Sequence, residues 1–351
     1  MRPMKPNYSL IALLCLIATV LSACERPTQP HQQKIYVFGT ILDITLWGVD
    51  EKTARHAFTT LGQEFQTMHH EWHAWEPSLL TALNDDIAAG RPHRVAPSLV
   101  PLLISGKVLY KTSGGLFNPT IGHLLNLWGF QSEDRPNHPP PAQEKIAELV
   151  RAAPGMDALT IQGDKVSSSN PMIKLDMGGY AKGYGIDLAI ERLKKLGIEN
   201  AIINAGGDLR AIGSKDGKPW RVGVRHPQGK GILATIEISG DQSVFTSGNY
   251  ERFREWEGVR YQHILDPRTG MPVEGVTSVT VIHDNGIEAD AASTALVVAG
   301  GEAWHATARS MGIRYAMLVE DDGTLHMNPA MAQRLLFEGE RPKRVIISPK
   351  L

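Results

Sequence analysis

The chain has 351 residues, 42% hydrophobic and 21% charged, with 36 basic and 37 acidic side chains and a net charge of −1. This composition excludes disordered and collagen-like classes, and the near-neutral charge gives no electrostatic case for nucleic acid. Two cysteines exclude a disulfide-rich scaffold and a multi-cysteine zinc or iron–sulfur site.

Arg2 and Lys5 precede an apolar run, LIALLCLIATVL (10–21), that is too short to span a bilayer comfortably and suits a secretory signal. Leu21-Ser22-Ala23-Cys24 follows and resembles the bacterial lipobox. The expectation is a signal peptide over 1–23, cleavage before a lipidated Cys24, and an address on the periplasmic side of a bacterial membrane, more readily the inner one. An ordinary signal with an incidental cysteine is the alternative. Cleavage also removes Cys15, Arg2 and Lys5, which takes the net charge to −3 and leaves no intrachain disulfide. Residues 24–33 read as a tether, 34–340 as the folded domain, and 341–351 as a C-terminal tail.

Within the domain, IYVFGTILDITLWG (35–48) alternates around Gly39 and predicts paired strands. Ala54, Phe58, Leu61, Phe65 and Met68 have helical spacing over 51–72, and a second helix is predicted from Ser98 to Thr112, stopped by Ser113-Gly114-Gly115. The run RPNHPPP (135–141) breaks the chain. Then come a helix over 142–153, a hairpin over 159–169 turning at Gly163-Asp164, a helix over 184–197 ended by Gly197, and a short buried strand at 201–206. WRVGVRHP, ATIEIS, SVFTSG and SVTVIHD read as strands. IEADAASTALVVAG (287–300) reads as a helix ended by Gly300-Gly301, and 315–327 as a hairpin turning at Asp322-Gly323. Strands and helices mix without strict alternation. The fold class expected is α+β, a mainly antiparallel sheet core with flanking helices.

The 34 glycines exceed the usual ~7%, and they cluster. No GxxxxGK[ST], GxGxxG or GxSxG motif is present in a fitting context. In LDMGGYAKGYGID (175–187), Asp176 ends a strand-like segment, and glycines 178, 179, 183 and 185 surround Lys182 at a helix start. Such a turn exposes N–H groups to an anion, and lysine adds a mobile positive charge; a tight turn with a solvated lysine is the plainer reading. NAGGDLRAIG (204–213) lets the backbone approach a ligand at Gly206-Gly207, or is a bulged hairpin. His263 lies just before the turn Asp266-Pro267…Thr269-Gly270, either as a structural histidine or as a proton acceptor. In EADAASTA (288–295), Asp290, Ser293 and Thr294 share a helix face. Their oxygens suit a hard cation such as Mg²⁺, unless Asp290 merely caps the first turn. His69, His70 and His73 have metal-compatible spacing, but an exposed helix face explains them as well.

Seven motifs in order, FGT (38–40), FNPTIGHLLNLWGF (117–130), LDMGGYAKGYGID, NAGGDLRAIG, TSGNYERF (246–253), HILDPRTGMP (263–272) and SVTVIHDNGIEADAASTALVVAG (278–300), resemble the ApbE family over roughly residues 35–300. The resemblance implies an ApbE-like fold and an FAD:protein FMN transferase. Such an enzyme moves the FMN part of FAD through a phosphodiester bond to a Thr or Ser hydroxyl of an acceptor, releasing AMP. The implied acceptors are flavoprotein subunits of membrane redox complexes such as the sodium-pumping quinone reductase and Rnf-type complexes. The implied metal set is Gly179 through its carbonyl with Asp290, Ser293 and Thr294, for Mg²⁺ or for Mn²⁺, which accepts the same ligands. The flavin set is Phe38, Trp75, Leu116, Phe117, Asn118, Asp176, Lys182 and Leu265, and His263 is the implied base. Phe38 stands where the family often has Met, Trp75 near a family Tyr, and Asn118 where the family often has Asp. FAD hydrolysis to FMN and AMP, or a non-enzymatic FAD-binding lipoprotein, are the competing readings.

Overall fold

A computed structural model describes residues 29–132, 139–226, 231–338, 342 and 344–351. The signal peptide, Cys24 and residues 135–138 of the proline run lie outside the described residues.

The first hairpin joins β1 (His31–Val37) to β2 (Thr40–Trp47) in the register Val37↔Thr40. Its two-residue turn, Phe38-Gly39, has φ of 54° and 71°, the positive pair that a right-twisted hairpin requires. A phenylalanine is held in the left-handed region there, a conformation uncommon for a bulky side chain. β1 begins at His31, so the expected tether reaches three residues into the sheet: pairing with β2 supplies the order that the polar composition does not.

Helix α1 (Glu51–Glu71) is capped by Asp50, which accepts from the Thr53 N–H at 3.0 Å, and it buries Ala54, Ala57, Leu61 and Phe65. A capping box on Ser78 starts α2 (Leu79–Ala88). Next come β3 (His93–Arg94), α3 (Leu99–Thr112), α4 (Gly122–Leu127), α5 (Gln143–Arg151) and the hairpin of β4 (Leu159–Gln162) with β5 (Lys165–Ser168). Helix α6 (Ala181–Lys195) leads into β6 (Asn200–Ala205), β7 (Asp208–Ile212), β8 (Trp220–Arg225), β9 (Ile232–Ile238) and β10 (Gln242–Gly248). The hairpin of β11 (Phe253–Trp256) and β12 (Val259–Gln262) precedes β13 (Val276–His283) and helix α7 (Gly286–Ser310). The chain closes with β14 (Tyr315–Glu320), β15 (Leu325–Met327), α8 (Pro329–Ala332), β16 (Leu335–Phe337) and β17 (Val345–Ile347).

Nine strands form the main sheet in the order β1-β2-β6-β7-β10-β13-β14-β15-β17, antiparallel at every pairing except β15–β17. The α+β expectation is met. Alternate residues of the central strands face two different cores. Ile203, Phe245, Val279, Val281 and Leu318 point to the helices, and Ile202, Val244, Ile282 and Met317 point to the small sheet β16-β9-β8. The molecule therefore has three layers, and β13, buried at seven of eight positions, lies in the middle of them.

Three boundaries differ from the sequence reading. Helix α6 starts at Ala181 rather than 184, which puts Lys182 in its first turn. Gly300 (φ 69°, ψ 177°) kinks α7 instead of ending it, and the chain resumes helix to Ser310. Residues 345–347, within the expected tail, pair with β15.

Candidate active site

The site is assembled where the start of α6 meets the start of α7 over the ends of β7 and β10. The lead-in to α6 is pinned by side chains. Asp176 Oδ1 accepts from the Gly178 N–H at 2.8 Å, and its Oδ2 accepts from Gln131 Nε2 at 2.7 Å. Gln131 Oε1 in turn accepts from Lys174 Nζ at 2.9 Å. The glycines of this motif divide in role. Gly178 and Gly179 form the turn. Gly183 and Gly185 lie inside the helix and permit close packing: a Cβ on Gly183 would stand 2.3 Å from the Gly286 carbonyl oxygen, and one on Gly185 3.2 Å from the Phe38 ring. They are packing positions rather than the anion cradle expected from the sequence.

Lys182 is not the mobile charge expected either. Its ammonium is paired with Asp208 Oδ2. The Gly206-Gly207 turn, with φ of 69° and 118°, closes β6 onto β7 in the register Ala205↔Asp208 and so delivers Asp208 to the site. Asp208 Oδ1 accepts from the Thr246 N–H of β10 at 3.0 Å. Burial disfavours the Lys182 ammonium, but Asp208, Asp290 and Glu251 outweigh it and hold its pKa above the ordinary lysine value. Lys182 is charged at every working pH.

Asp290 does not cap α7. That task falls to Asn285, which accepts from the Glu288 N–H at 3.2 Å, and to Asp187 of α6, which accepts from the Gly286 and Ile287 N–H groups at 2.8 and 3.0 Å. Arg210 holds Asp187 at 2.5 Å and Asp241 at 2.7 Å. Freed from capping, Asp290 Oδ2 accepts from the Gly183 N–H at 2.9 Å. It is 3% exposed. Burial pushes its pKa well up, with Lys182 pulling the other way.

Ser293 Oγ and Thr294 Oγ1 donate to the Asp290 carbonyl at 2.9 and 3.3 Å. Ser247, which the sequence reading did not single out, lies 2.8 Å from Ser293 Oγ and 3.3 Å from Thr294 Oγ1. Gly179 faces this group: a Cβ built on it would stand 3.9 Å from Thr294 Oγ1 and 3.2 Å from the Phe117 ring. The structure thus brings Gly179, Asp290, Ser293 and Thr294 to one place. Among the described residues no three His, Cys, Asp or Glu side chains converge as a metal cage, so His69, His70 and His73 form none. One desolvated carboxylate on the same helix face as neutral hydroxyls suits a hard divalent cation that keeps waters and shares ligands with a phosphate.

His263 follows β12 and is partly exposed. Its backbone N–H and its Nδ1 both meet the Arg252 carbonyl, at 3.2 and 2.9 Å. A carbonyl only accepts, so Nδ1 carries the proton and Nε2 presents a lone pair. Desolvation of the ring, helped by the positive charges of Arg252 and Lys182 and opposed by the bond to the carbonyl, lowers its pKa to about 4. At neutral pH the ring is an uncharged acceptor. The Arg252 side chain donates to the Ser132 carbonyl at 2.7 Å and lies 5.7 Å from the Trp75 ring.

The remaining flavin candidates fall into three sets. Trp75 is 37% exposed and meets His73 edge-on at 4.5 Å; Leu116 and Phe38 are half-buried, and Phe38 lies parallel to Trp72 at 6.2 Å. Phe117 and Leu265 are buried, each 3% exposed, with Phe117 against Tyr180 and Leu265 in a satellite core with Trp128 and Phe130. Asn118 is held by the protein at both ends of its amide: its Nδ2 donates to the Pro154 carbonyl at 2.8 Å and its Oδ1 accepts from the Thr120 N–H and hydroxyl at 3.0 and 2.6 Å. Sequence reasoning missed Ser247, Arg252 and Asp187. A serine in TSG or an aspartate mid-helix has no spacing signature, and Arg252 bonds His263 through a backbone atom that every residue has, adding its charge only once the fold brings the two together.

A model of the ApbE family matches residues 38–317. The chain is 42% identical over 322 residues to the FAD:protein FMN transferase of Rhodobacter capsulatus, covering 92% of this chain and 61% of that protein's length. It is 33% identical over 323 residues to the FAD:protein FMN transferase of Vibrio cholerae, covering 90% and 94%. Among solved structures it is similar to the ApbE protein of Thermotoga maritima, with TM-score 0.80, 31% identity and coverage of 89% of this chain and all of that one. It is also similar to the flavin transferase ApbE of Vibrio cholerae, with TM-score 0.76, 30% identity and coverage of 88% and 100%.

Proposed function

Because the chain belongs to the ApbE family, we propose that it is an FAD:protein FMN transferase that moves FMN from FAD to a Thr or Ser hydroxyl of an acceptor protein and releases AMP. The observation that carries this reading is the joining of two helix starts by the Gly183–Asp290 hydrogen bond. It sets a fixed cation, Lys182, beside a cluster of oxygens suited to a divalent metal, and both act on the diphosphate of FAD.

Asp290, Thr294 and the Gly179 carbonyl would hold Mg²⁺ or Mn²⁺, which supplies neutralisation of the charge that builds on the diphosphate. Lys182 adds a preorganised positive charge, held in place by Asp208. His263 takes the proton from the acceptor hydroxyl at Nε2, the nitrogen that its Nδ1–H···O=C bond leaves free. The hydroxyl oxygen then attacks the FMN phosphorus, and the bond to the AMP oxygen breaks in line with attack. Trp75 and Phe38, with Leu116, present the apolar surface for the isoalloxazine.

The acceptor class, a flavoprotein subunit of a membrane redox complex, rests on the family resemblance. The periplasmic address and the lipid anchor at Cys24 rest on the export signal.

The test incubates the protein with FAD, Mg²⁺ and an acceptor domain carrying a candidate threonine, and reads intact mass with and without EDTA. A gain equal to FMN less water, abolished by EDTA, is expected. FMN and AMP free in solution with an unchanged acceptor would replace transfer by hydrolysis.

A further inference from the structure

The hydroxyls beside Asp290 have a direction. Ser293 Oγ gives its single proton to the Asp290 carbonyl at 2.9 Å. Either oxygen could be the donor in its 2.8 Å contact with Ser247; giving the Ser293 proton to the carbonyl, which can only accept, makes Ser247 Oγ the donor there. Thr294 Oγ1 also donates to the Asp290 carbonyl, at 3.3 Å. Ser247 Oγ and Thr294 Oγ1 lie 3.3 Å apart, where either could donate; in this assignment their protons go to Ser293 and to the Asp290 carbonyl instead. Both present lone pairs. Exposure sorts the three: Ser293 is 1% exposed, whereas Ser247 and Thr294 are both partly open. Ser293 lies behind the other two.

We propose that Ser247, not Ser293, is the second hydroxyl of the cation site, joining Thr294 and Asp290, and that Ser293 orients it by accepting its proton. This inference rests on the metal-dependent reading above and deepens it. Two hydroxyl oxygens with lone pairs left over, near one buried carboxylate, are a donor set that a hard divalent ion would take. The assignment also makes the end of β10 the organiser of both halves of the site. Thr246 holds Asp208, and through it Lys182, by its backbone N–H, while the next residue serves the metal.

The test titrates Mn²⁺ into the purified protein, with and without FAD, and follows free Mn²⁺ by its EPR signal. The parent is compared with Ser247→Ala, Ser247→Cys, Ser293→Ala and Asp290→Asn, each melted without metal to establish that it folds. Ser247→Ala is expected to weaken Mn²⁺ about a hundredfold, and Ser293→Ala only about tenfold, as for a group that orients a ligand without touching the metal. Ser247→Cys should move preference from Mn²⁺ towards Cd²⁺, because the sulfur is soft. Parent-like Mn²⁺ binding by Ser247→Ala overturns the proposal. So does equal weakening by the two serine-to-alanine changes with no Cd²⁺ gain in Ser247→Cys. A parent that binds no Mn²⁺, or an Asp290→Asn variant that binds it as the parent does, removes the metal reading itself and this inference with it. Loss in Asp290→Asn without loss in Ser247→Ala removes the role of Ser247 alone.

Discussion

The N–H of Gly183 donates to Oδ2 of Asp290 at 2.9 Å across 107 residues of chain, and the missing side chain of Gly183 is what lets the two helices meet. A Cβ there would stand 2.3, 2.6 and 2.9 Å from the Gly286 oxygen, the Gly286 carbon and the Ile287 Cα. All three are backbone atoms, which cannot swing away. Gly183→Ala is expected to force α6 and α7 apart, lower stability by about 1–3 kcal/mol and depress transfer. Urea unfolding with activity assayed well below the transition checks this; unchanged activity would show that the Gly183–Asp290 bond is not needed by the site.

Asp290→Asn separates stability from function. The amide oxygen can still accept from Gly183, and the buried carboxylate, whose pKa burial already pushes well up, is replaced by a neutral isostere. Stability should hold within about 1 kcal/mol or rise, while transfer falls about a hundredfold or more through loss of the metal ligand. Melting and acceptor mass together read both. A variant that transfers FMN at the parent rate would exclude Asp290 as a metal ligand.

Lys182→Met leaves Asp208, with a side chain only 6% exposed, without its cation. Breaking such a pair should cost about 3 kcal/mol. The double change Lys182→Met with Asp208→Asn should recover most of that stability but not FAD affinity, for which the proposed function requires the positive charge. Recovery of both would reduce Lys182 to a structural partner of Asp208.

His263→Ala should abolish transfer while FAD binding survives, since the role proposed for the imidazole is at the acceptor hydroxyl. Mass analysis of the acceptor and FAD titration decide it. An equal loss of FAD affinity would make His263 a binding residue.

The pH dependence has a definite sign. The pKa of His263 is lowered to about 4 in the folded state, against about 6.5 unfolded. The stabilisation of the neutral ring is therefore fully present above about 6.5 and is lost as pH falls from there through about 4. Stability of the parent should drop more steeply over that window than that of His263→Gln, which takes up no proton. Parallel curves from pH 7 to 4 would rule out the lowered value.

Much of the fold was legible in the chain because it is local. Alternation around Gly39 marked the first hairpin, the spacing of Ala54, Leu61 and Phe65 marked α1, and Gly163-Asp164 marked the β4–β5 turn. Helix starts were less legible. α6 begins three residues early because Gly183 is held by packing on α7, which no window around Gly183 contains. Gly300 carries the stop signal of a helix end, yet it kinks α7 because the residues after it also bury a face, through Trp304 and Ala308.

By itself the sequence determined which residue types the site contains. Glycine-flanked Lys182, the Asp290–Thr294 face and His263 before a turn each carry a chemistry beside a plainer structural reading, and the order of their motifs is what resembles the family. Only the tertiary structure decided what each meets. Lys182 is an anchored charge because a hairpin turn brings Asp208 to it. Asp290 is available because Asp187 has taken over the cap of α7. Ser247 enters from a strand 46 residues before Ser293. These are contacts between segments distant in the chain. Their partners are chosen by packing three layers around β13, and no local pattern in the amino-acid order carries that information.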